Sequence, residues 1–326
     1  MNKQRLDYID ILKGIGILMV IFSHSGAEGW LMSNMGDFFV PLFFIASGYT
    51  YKYHGDSYLH LFSNRAVRLL KPYFFFSFIM LFLYQRFSIY DILGVFYSRY
   101  CLYPYHSIDN IFLMGGGNPP LWFLTSMLSA YIPFLFLMKY QEKAKYILLF
   151  FALYTFSFQY LPILLPWNLD NACLVAAFMY AGVVLRSDKS LLFRPDYTYL
   201  VVLVAFFCVI LFNGSDNLSV REYGRSFVLY YFGCVLGAII LLKLAIFLDG
   251  TSLGAYLKKV GRHSLIIFCV QMFFLHFCHQ VFHTILHLPV DGILFYVLTF
   301  FKVIIVTTVG LFTSKLLLRY TPWLFR

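Results

Sequence analysis

Charge is what this sequence holds least of. Only 12% of its 326 residues are Asp, Glu, Lys or Arg, and the mean hydropathy is +0.75. A soluble domain carries roughly 25% charged residues, so this balance excludes an ordinary water-soluble globule and points to a membrane protein. Acidic residues are the scarcer sign, 15 against 25 Lys and Arg, for a net charge of +10. The six cysteines (Cys101, Cys173, Cys208, Cys234, Cys269 and Cys278) form no CxxC pair and no disulfide framework. Most lie in apolar segments, where a thiol acts as a small hydrophobe. No cleavable leader is visible, because Asp10 and Lys13 interrupt the first apolar run and no small-residue cleavage site follows it. No stretch between the apolar runs can hold a globular domain, so residues 1–326 read as one integral-membrane domain. No internal repeat stands out.

What the chain has instead is apolar runs. Their cores lie near 9–27, 37–53, 72–86, 120–138, 146–165, 171–185, 197–212, 226–247, 264–287 and 291–314. Such runs suit crossings of ~30 Å of hydrocarbon, which predicts an all-α polytopic bundle of about ten transmembrane helices. Basic residues test that count. With both termini cytoplasmic, the outer side holds only Arg86, Arg99, Arg221 and Arg225, Lys13 and Lys302 fall within spans, and the remaining Lys and Arg gather on the inner side. The bias obeys the positive-inside rule. It explains the net charge as a topology signal and removes any need for nucleic acid as a partner. A multi-pass protein of a bacterial inner (plasma) membrane is expected. The longest extramembrane stretch, 87–119, starts as an amphipathic run and ends in Gly115-Gly116-Gly117-Asn118-Pro119-Pro120, where regular helix is disfavoured. Such a loop is either a functional lid or an interfacial connector. Asn213-Gly214-Ser215 and Asn217-Leu218-Ser219 fit the glycosylation pattern, which means little in a bacterial protein.

Ionisable groups inside spans mark pathways or sites. Lys13 and His24 are eleven residues apart in the first run. In a helix that is about three turns plus 20°, so the two share a face with roughly 16 Å between them. Asp10, three residues before Lys13, can pair with it. A basic anchor on the inner side and an imidazole further out suit a long anionic ligand lying along the helix. The bland alternative is a neutralised helix end with a hydrogen-bonded histidine. Arg65 and Arg68 project together as i, i+3 neighbours. Two guanidinium forks at the inner surface suit phosphate, and ordinary positive-inside anchoring is the competing explanation. Trp122 and Asn118 stand where the Gly/Pro loop meets the fourth run. There an aromatic face can stack on a sugar ring, although an interfacial belt is the commoner use of Trp. Asp37 is a candidate to orient His24, and Ser47-Gly48 suits close helix packing rather than nucleophilic chemistry. In the ninth run His276, His279, His283 and His287 form one stripe, read as a polar lining of the outer cleft in preference to a metal site. Lys302 is a further intramembrane cation with no partner evident in the sequence.

Four stretches resemble the integral-membrane acyltransferase-3 family of O-acyltransferases acting on cell-envelope glycans, and within it the fucose 4-O-acetylase-like branch. Asp10-Ile11-Leu12-Lys13-Gly14-Ile15-Gly16-Ile17-Leu18 running to His24 is similar to its basic-x10-His first helix. Pro41-Leu42-Phe43-Phe44-Ile45-Ala46-Ser47-Gly48-Tyr49 is similar to its second helix. Arg65-x-x-Arg68, followed by Leu69-Leu70-Lys71-Pro72, is similar to its RxxR element. Pro120-Leu121-Trp122-Phe123-Leu124 is similar to its WFL segment. Gly261-Arg262-His263-Ser264-Leu265-Ile266-Ile267-Phe268 is a weaker echo of a late motif. Lys13 stands where many members have Arg, and Gln271 where the late motif usually ends in His.

The resemblance implies transfer of an acetyl or other short acyl group from cytoplasmic acyl-CoA to a sugar hydroxyl of an envelope polysaccharide or glycolipid. It implies His24 and Asp10 as catalytic residues, Lys13, Arg65 and Arg68 as donor-binding, and Trp122 and Asn118 as acceptor-binding. Acetyl-CoA or another acyl-CoA is then a co-substrate, with no bound cofactor and no metal. His24 is either general base on the acceptor hydroxyl or a transient acyl carrier. The rival reading is a proton-coupled transporter or exporter of a glycan or small anion, which predicts broken helices in paired repeats. A metal-dependent lipid-modifying enzyme is a third, resting on the ninth run alone.

Overall fold

A computed structural model describes residues 6–27, 37–53, 55, 57–104, 109–113, 119–188, 192, 196–288 and 292–325. Its elements are helical. Among the described residues there is no strand, only two isolated bridges, Cys101 with Phe112 and Asn217 with Glu222. In chain order the α-helices are α1 (Asp7–Phe22), α2 (Pro41–Tyr49), α3 (Tyr58–Leu83), α4 (Ile89–Tyr97), α5 (Trp122–Lys139) and α6 (Ala144–Gln159). They continue as α7 (Ala172–Ser187), α8 (Asp196–Asn213), α9 (Phe227–Leu248), α10 (Ser252–Arg262), α11 (Ser264–His279) and α12 (Gly292–Tyr320). The protein is an all-α polytopic helical bundle.

Every apolar run expected to span falls on one of these helices. Seven helices among the described residues are long and apolar enough to cross a membrane: α1, α3, α5, α7, α9, α11 and α12 with their short extensions. The other three runs give shorter helices. At 1.5 Å per residue, the nine residues of α2 reach only about 14 Å. A hydropathy run marks where the chain is apolar, and turns at residues 37–40 and at Thr50 set where helix stops. The third run differs in the opposite sense. The helix begins at Tyr58 rather than near 72, so Arg65 and Arg68 lie inside it and not ahead of it, with Pro72 tolerated within.

Local chemistry explains several boundaries. Ser88 caps α4, its hydroxyl accepting from Asp91 N at 3.1 Å and donating to the Asp91 carboxylate at 2.6 Å. Thr251 caps α10 by accepting from Gly254 N at 3.0 Å. α1 ends in a π-turn, Ser23–Ala27, which Gly26 terminates at φ +109°. Ser23 and Ser25 hydroxyls donate there to Val20 O and Ile21 O, at 2.9 and 2.6 Å. His24 therefore sits on an irregular turn, a kind of distortion that recurs at functional sites.

Two glycine-mediated crossings hold the bundle together. A Cβ on Gly14 would stand 2.2 Å from Leu257 O, and one on Gly261 1.7 Å from Asp10 O, so α1 and α10 touch backbone to backbone. At the same crossing Arg262 Nε donates to Asp10 Oδ2 at 3.2 Å, and Lys258 Nζ to Asp7 Oδ2 at 3.0 Å. The acidic first turn of α1 thus docks α10. Gly48 and Gly182 do the same for α2 and α7, where added Cβ atoms would lie 1.7 Å from Met179 O and 2.0 Å from Ile45 O. Small residues bring membrane helices this close because packing, not the hydrophobic effect, drives their association.

Candidate active site

Lys13, Ile17 and Val20 of α1 and His24 of the π-turn that follows it recur at helical spacing and line one wall of a cavity of about 280 Å³. The shared face expected of Lys13 and His24 is thus a cavity wall. α2 contributes Phe43 and Ser47, α3 contributes Arg65, Arg68 and Leu69, and α5 contributes Trp122, Phe123 and Met127. Asp37, Asn217, Ser219 and the α11 residues Ser264, Leu265 and Phe268 complete it. Six segments far apart in sequence converge on this space.

One end of the cavity is cationic. Arg65 Nη2 donates to Ser47 Oγ at 2.5 Å and to Met127 Sδ at 3.0 Å, and the guanidinium lies 5.3 Å from the Tyr131 ring centroid. No carboxylate pairs with Arg65 among the described residues, and its buried Nε has no hydrogen-bond partner. A guanidinium taken out of water without an anion is costly unless a ligand supplies the anion. Arg68, one turn further along α3, is exposed. Ser47, set aside as a nucleophile, has a definite role: it orients Arg65.

The other end holds His24, Asp37 and Trp122. His24 makes no hydrogen bond among the described residues, so its ring is not committed to a structural partner. Asp37, proposed as its orienting group, ties the α8–α9 connection to the cavity: its backbone N donates to Asp216 Oδ1 at 2.5 Å, and its Oδ2 accepts from Leu218 N at 3.4 Å. Asp216 lies outside the spans, and burial pushes its carboxyl up to about 7, against the opposing pull of the Asp37 N–H. Trp122 is only 9% exposed and faces the cavity, which removes it from an interfacial belt. Asn118 lies outside the described residues.

Beneath the α8–α9 connection lies a buried polar clamp. Arg99 and Arg221, counted from sequence as outer-side charges, are both buried against the Asp170 carboxylate. Arg99 also donates to Leu165 O at 2.9 Å and to Ser219 O at 2.6 Å, and Arg221 to Ile163 O at 3.1 Å. Asn171 Nδ2 donates to Leu218 O at 2.9 Å, and Tyr223 OH donates to Asn171 Oδ1. Burial pushes the Arg99 pKa down, and the Asp170 carboxylate beside it opposes that shift. Removing one partner of such a pair costs about 3–5 kcal/mol.

Some expected residues are elsewhere. Asp10 does not line the cavity; it is 3% exposed and its carboxylate accepts from Arg262 at the α1–α10 crossing. None of His276, His279, His283 or His287 lines the cavity, which corrects the reading of that stripe as a cleft wall. α11 passes into a π-turn over Gln280–Ile285 with the His279 and His283 rings still neighbours, 4.8 Å between centroids, whereas His287 has left the helix at φ +51°. No group of three or more His, Cys, Asp or Glu among the described residues is placed to hold a metal ion. Instead His283 Nε2 lies 2.9 Å from Lys302 Nζ while its Nδ1 faces Leu288 O at 3.0 Å. Lys302 also donates to Ser25 O at 3.4 Å, so it braces the turn that carries His24. Gln271, fully buried, has neither amide atom hydrogen-bonded among the described residues.

Residues 6–312 match the sequence model of the family described as acyltransferase domain, acyltransferase-3 type. The chain belongs to that family. It is a membrane acyltransferase, and the match takes in every cavity residue named above. No curated protein and no solved structure matches it. Ser47, Asp37, Asn217 and Ser219 are cavity residues that sequence reasoning left unassigned or assigned otherwise. A signal existed for Ser47, two residues before the end of a conspicuous apolar helix. Asn217 stood out only as part of a glycosylation pattern, which says nothing of a cavity.

Proposed function

We propose that the protein is an O-acyltransferase that moves an acetyl or other short acyl group from acyl-CoA to a sugar hydroxyl of an envelope polysaccharide or glycolipid. The observation that carries this reading is one continuous cavity with Lys13, Arg65 and Arg68 at one end and His24 at the other. Anionic phosphates match the cationic end through bidentate guanidinium contacts. The nucleotide would stay at the exposed Arg68 end while the pantetheine arm runs along α1. The thioester then lies near His24, roughly 16 Å further along the helix.

Acting as base, His24 takes the proton of the acceptor hydroxyl as that oxygen attacks the thioester carbonyl. The C–S bond breaks, the thiolate leaves, and the imidazolium returns its proton to sulfur. The products are an ester and free CoA-SH. Acting as nucleophile, His24 would first carry the acyl group on a ring nitrogen. Trp122, and Asn118 beside it in sequence, suit the acceptor side. Asp10 contributes indirectly, by holding α10 against the helix that carries Lys13 and His24. The side assignment, cytoplasmic donor and outer acceptor, is supported by the distribution of basic residues.

The test is His24→Ala in purified protein in lipid nanodiscs, assayed with radiolabelled acetyl-CoA. Loss of general-base help alone reduces turnover about 10²–10⁴-fold. Normal turnover in a folded His24→Ala protein would rule the reading out.

A further inference from the structure

Two polar residues in the cavity wall have no part in the chemistry above. Asn217 and Ser219 line it from the α8–α9 connection. That connection is rigidly held: Asn217 N donates to Glu222 O at 2.8 Å, Glu222 N to Asn217 O at 3.0 Å, and Arg99 grips Ser219 O. The clamp on Asp170 therefore fixes where both side chains stand.

The direction of the Asn217 amide follows from its neighbours. Ser219 N and Ser219 Oγ approach the same amide atom at 3.0 and 2.6 Å. A backbone N–H only donates, so that atom is the carbonyl oxygen Oδ1. The amide NH₂ consequently turns away from the loop and makes no hydrogen bond among the described residues. The Ser219 hydroxyl directs its proton to Asn217, which leaves its lone pairs free to accept. Two N–H donors stand beside a hydroxyl acceptor. Neighbouring hydroxyls on a sugar ring present the matching alternation, and the Trp122 indole, which also lines the cavity, offers a flat apolar face.

We propose that Asn217 and Ser219 form the subsite that binds the hydroxyls of a carbohydrate acceptor; this rests on the acyl-transfer reading of the cavity. The Nδ2 atom donates to a ring hydroxyl oxygen, and Ser219 Oγ accepts from the adjacent hydroxyl. Asn217 also caps the short helical turn Leu218–Val220, but only through Oδ1. The two roles therefore separate. Asn217→Asp retains an acceptor for Ser219 and an equally good cap, and loses both N–H donors.

The experiment uses the intact protein in lipid nanodiscs and a panel of methyl hexosides and methyl 6-deoxyhexosides as probes. Binding is read by saturation-transfer NMR titration, which needs no acyl donor. The expected result is saturable binding of at least one glycoside to the wild type. Binding should weaken about tenfold in Asn217→Asp and severalfold in Ser219→Ala, which still keeps the backbone bond to Asn217. Failure of every glycoside to bind the wild type overturns the subsite, as does wild-type affinity in both variants. Acetyl-CoA turnover is measured on the same samples. Glycoside binding without turnover would sink the acyl-transfer reading and leave the subsite standing; turnover without glycoside binding would sink the subsite alone.

Discussion

A guanidinium that evolved to meet a ligand should destabilise the protein that lacks it, and Arg65 makes that trade measurable. Its Nη2 protons go to Ser47 and Met127, and of the five N–H donors of a guanidinium this leaves about three, on Nε and Nη1, for an anion. No carboxylate offsets the charge among the described residues. Replacement by methionine, similar in length and apolar, removes that desolvated charge and should stabilise the ligand-free protein by about 1–2 kcal/mol. The same change deletes the charge-assisted contacts to donor phosphate, each worth about 1.5–3 kcal/mol. The KM for acetyl-CoA should then rise about 10- to 150-fold. Arg65→Lys keeps the charge without the fork and should fall between the two. The assay pairs thermal melting without ligand with initial rates across acetyl-CoA concentration. A purely structural arginine gives the opposite pattern. If Arg65→Met melts earlier than wild type and leaves KM unchanged, the anion-site reading is refuted.

Two further outcomes follow from the fold. Gly48→Ala places a Cβ 1.7 Å from Met179 O, so α2 and α7 must separate by more than an ångström, at a cost of about 3 kcal/mol; Ser47 and Thr50 move with α2, and an unchanged melting temperature and turnover would disprove the crossing. Asp216, with its carboxyl pushed up to about 7 from 3.8, binds its proton more tightly folded than unfolded, so the stability it contributes is full below pH 3.8 and is lost as pH rises through 7. The shift of about three units corresponds to at most about 4 kcal/mol. Asp216→Asn should therefore flatten the fall in melting temperature between pH 4 and pH 7 and exceed wild type at pH 8. Parallel curves for the two proteins would show that Asp216 is not the titrating group.

Much of the site was legible because helical periodicity is a local property. Lys13 and His24 come to one face through spacing alone, and Arg65 and Arg68 through their i, i+3 relation. Periodicity also kept His279 beside His283, but it could not show that His287 leaves the helix or that the stripe lies away from the cavity. Asp10 was placed with Lys13 because neighbours on the same helix are visible in a sequence. Its bond to Arg262, 252 residues away, is not. Nor could the scarcity of outer basic residues reveal that Arg99 and Arg221 are buried on one carboxylate.

Composition and pattern alone settled that this chain is an apolar helical bundle, that each apolar run carries helix, and that Lys13 and His24 share a face. Those properties depend on the solvent the chain meets and on the geometry of a single helix. Tertiary structure alone decided that α1, α3, α5 and the α8–α9 connection enclose one cavity, that Arg65 has no counter-ion among the described residues, and that the amide oxygen of Asn217 is taken up by Ser219. The first two depend on contacts between residues far apart along the chain, set by glycine crossings and a buried ion cluster that no short window of sequence contains.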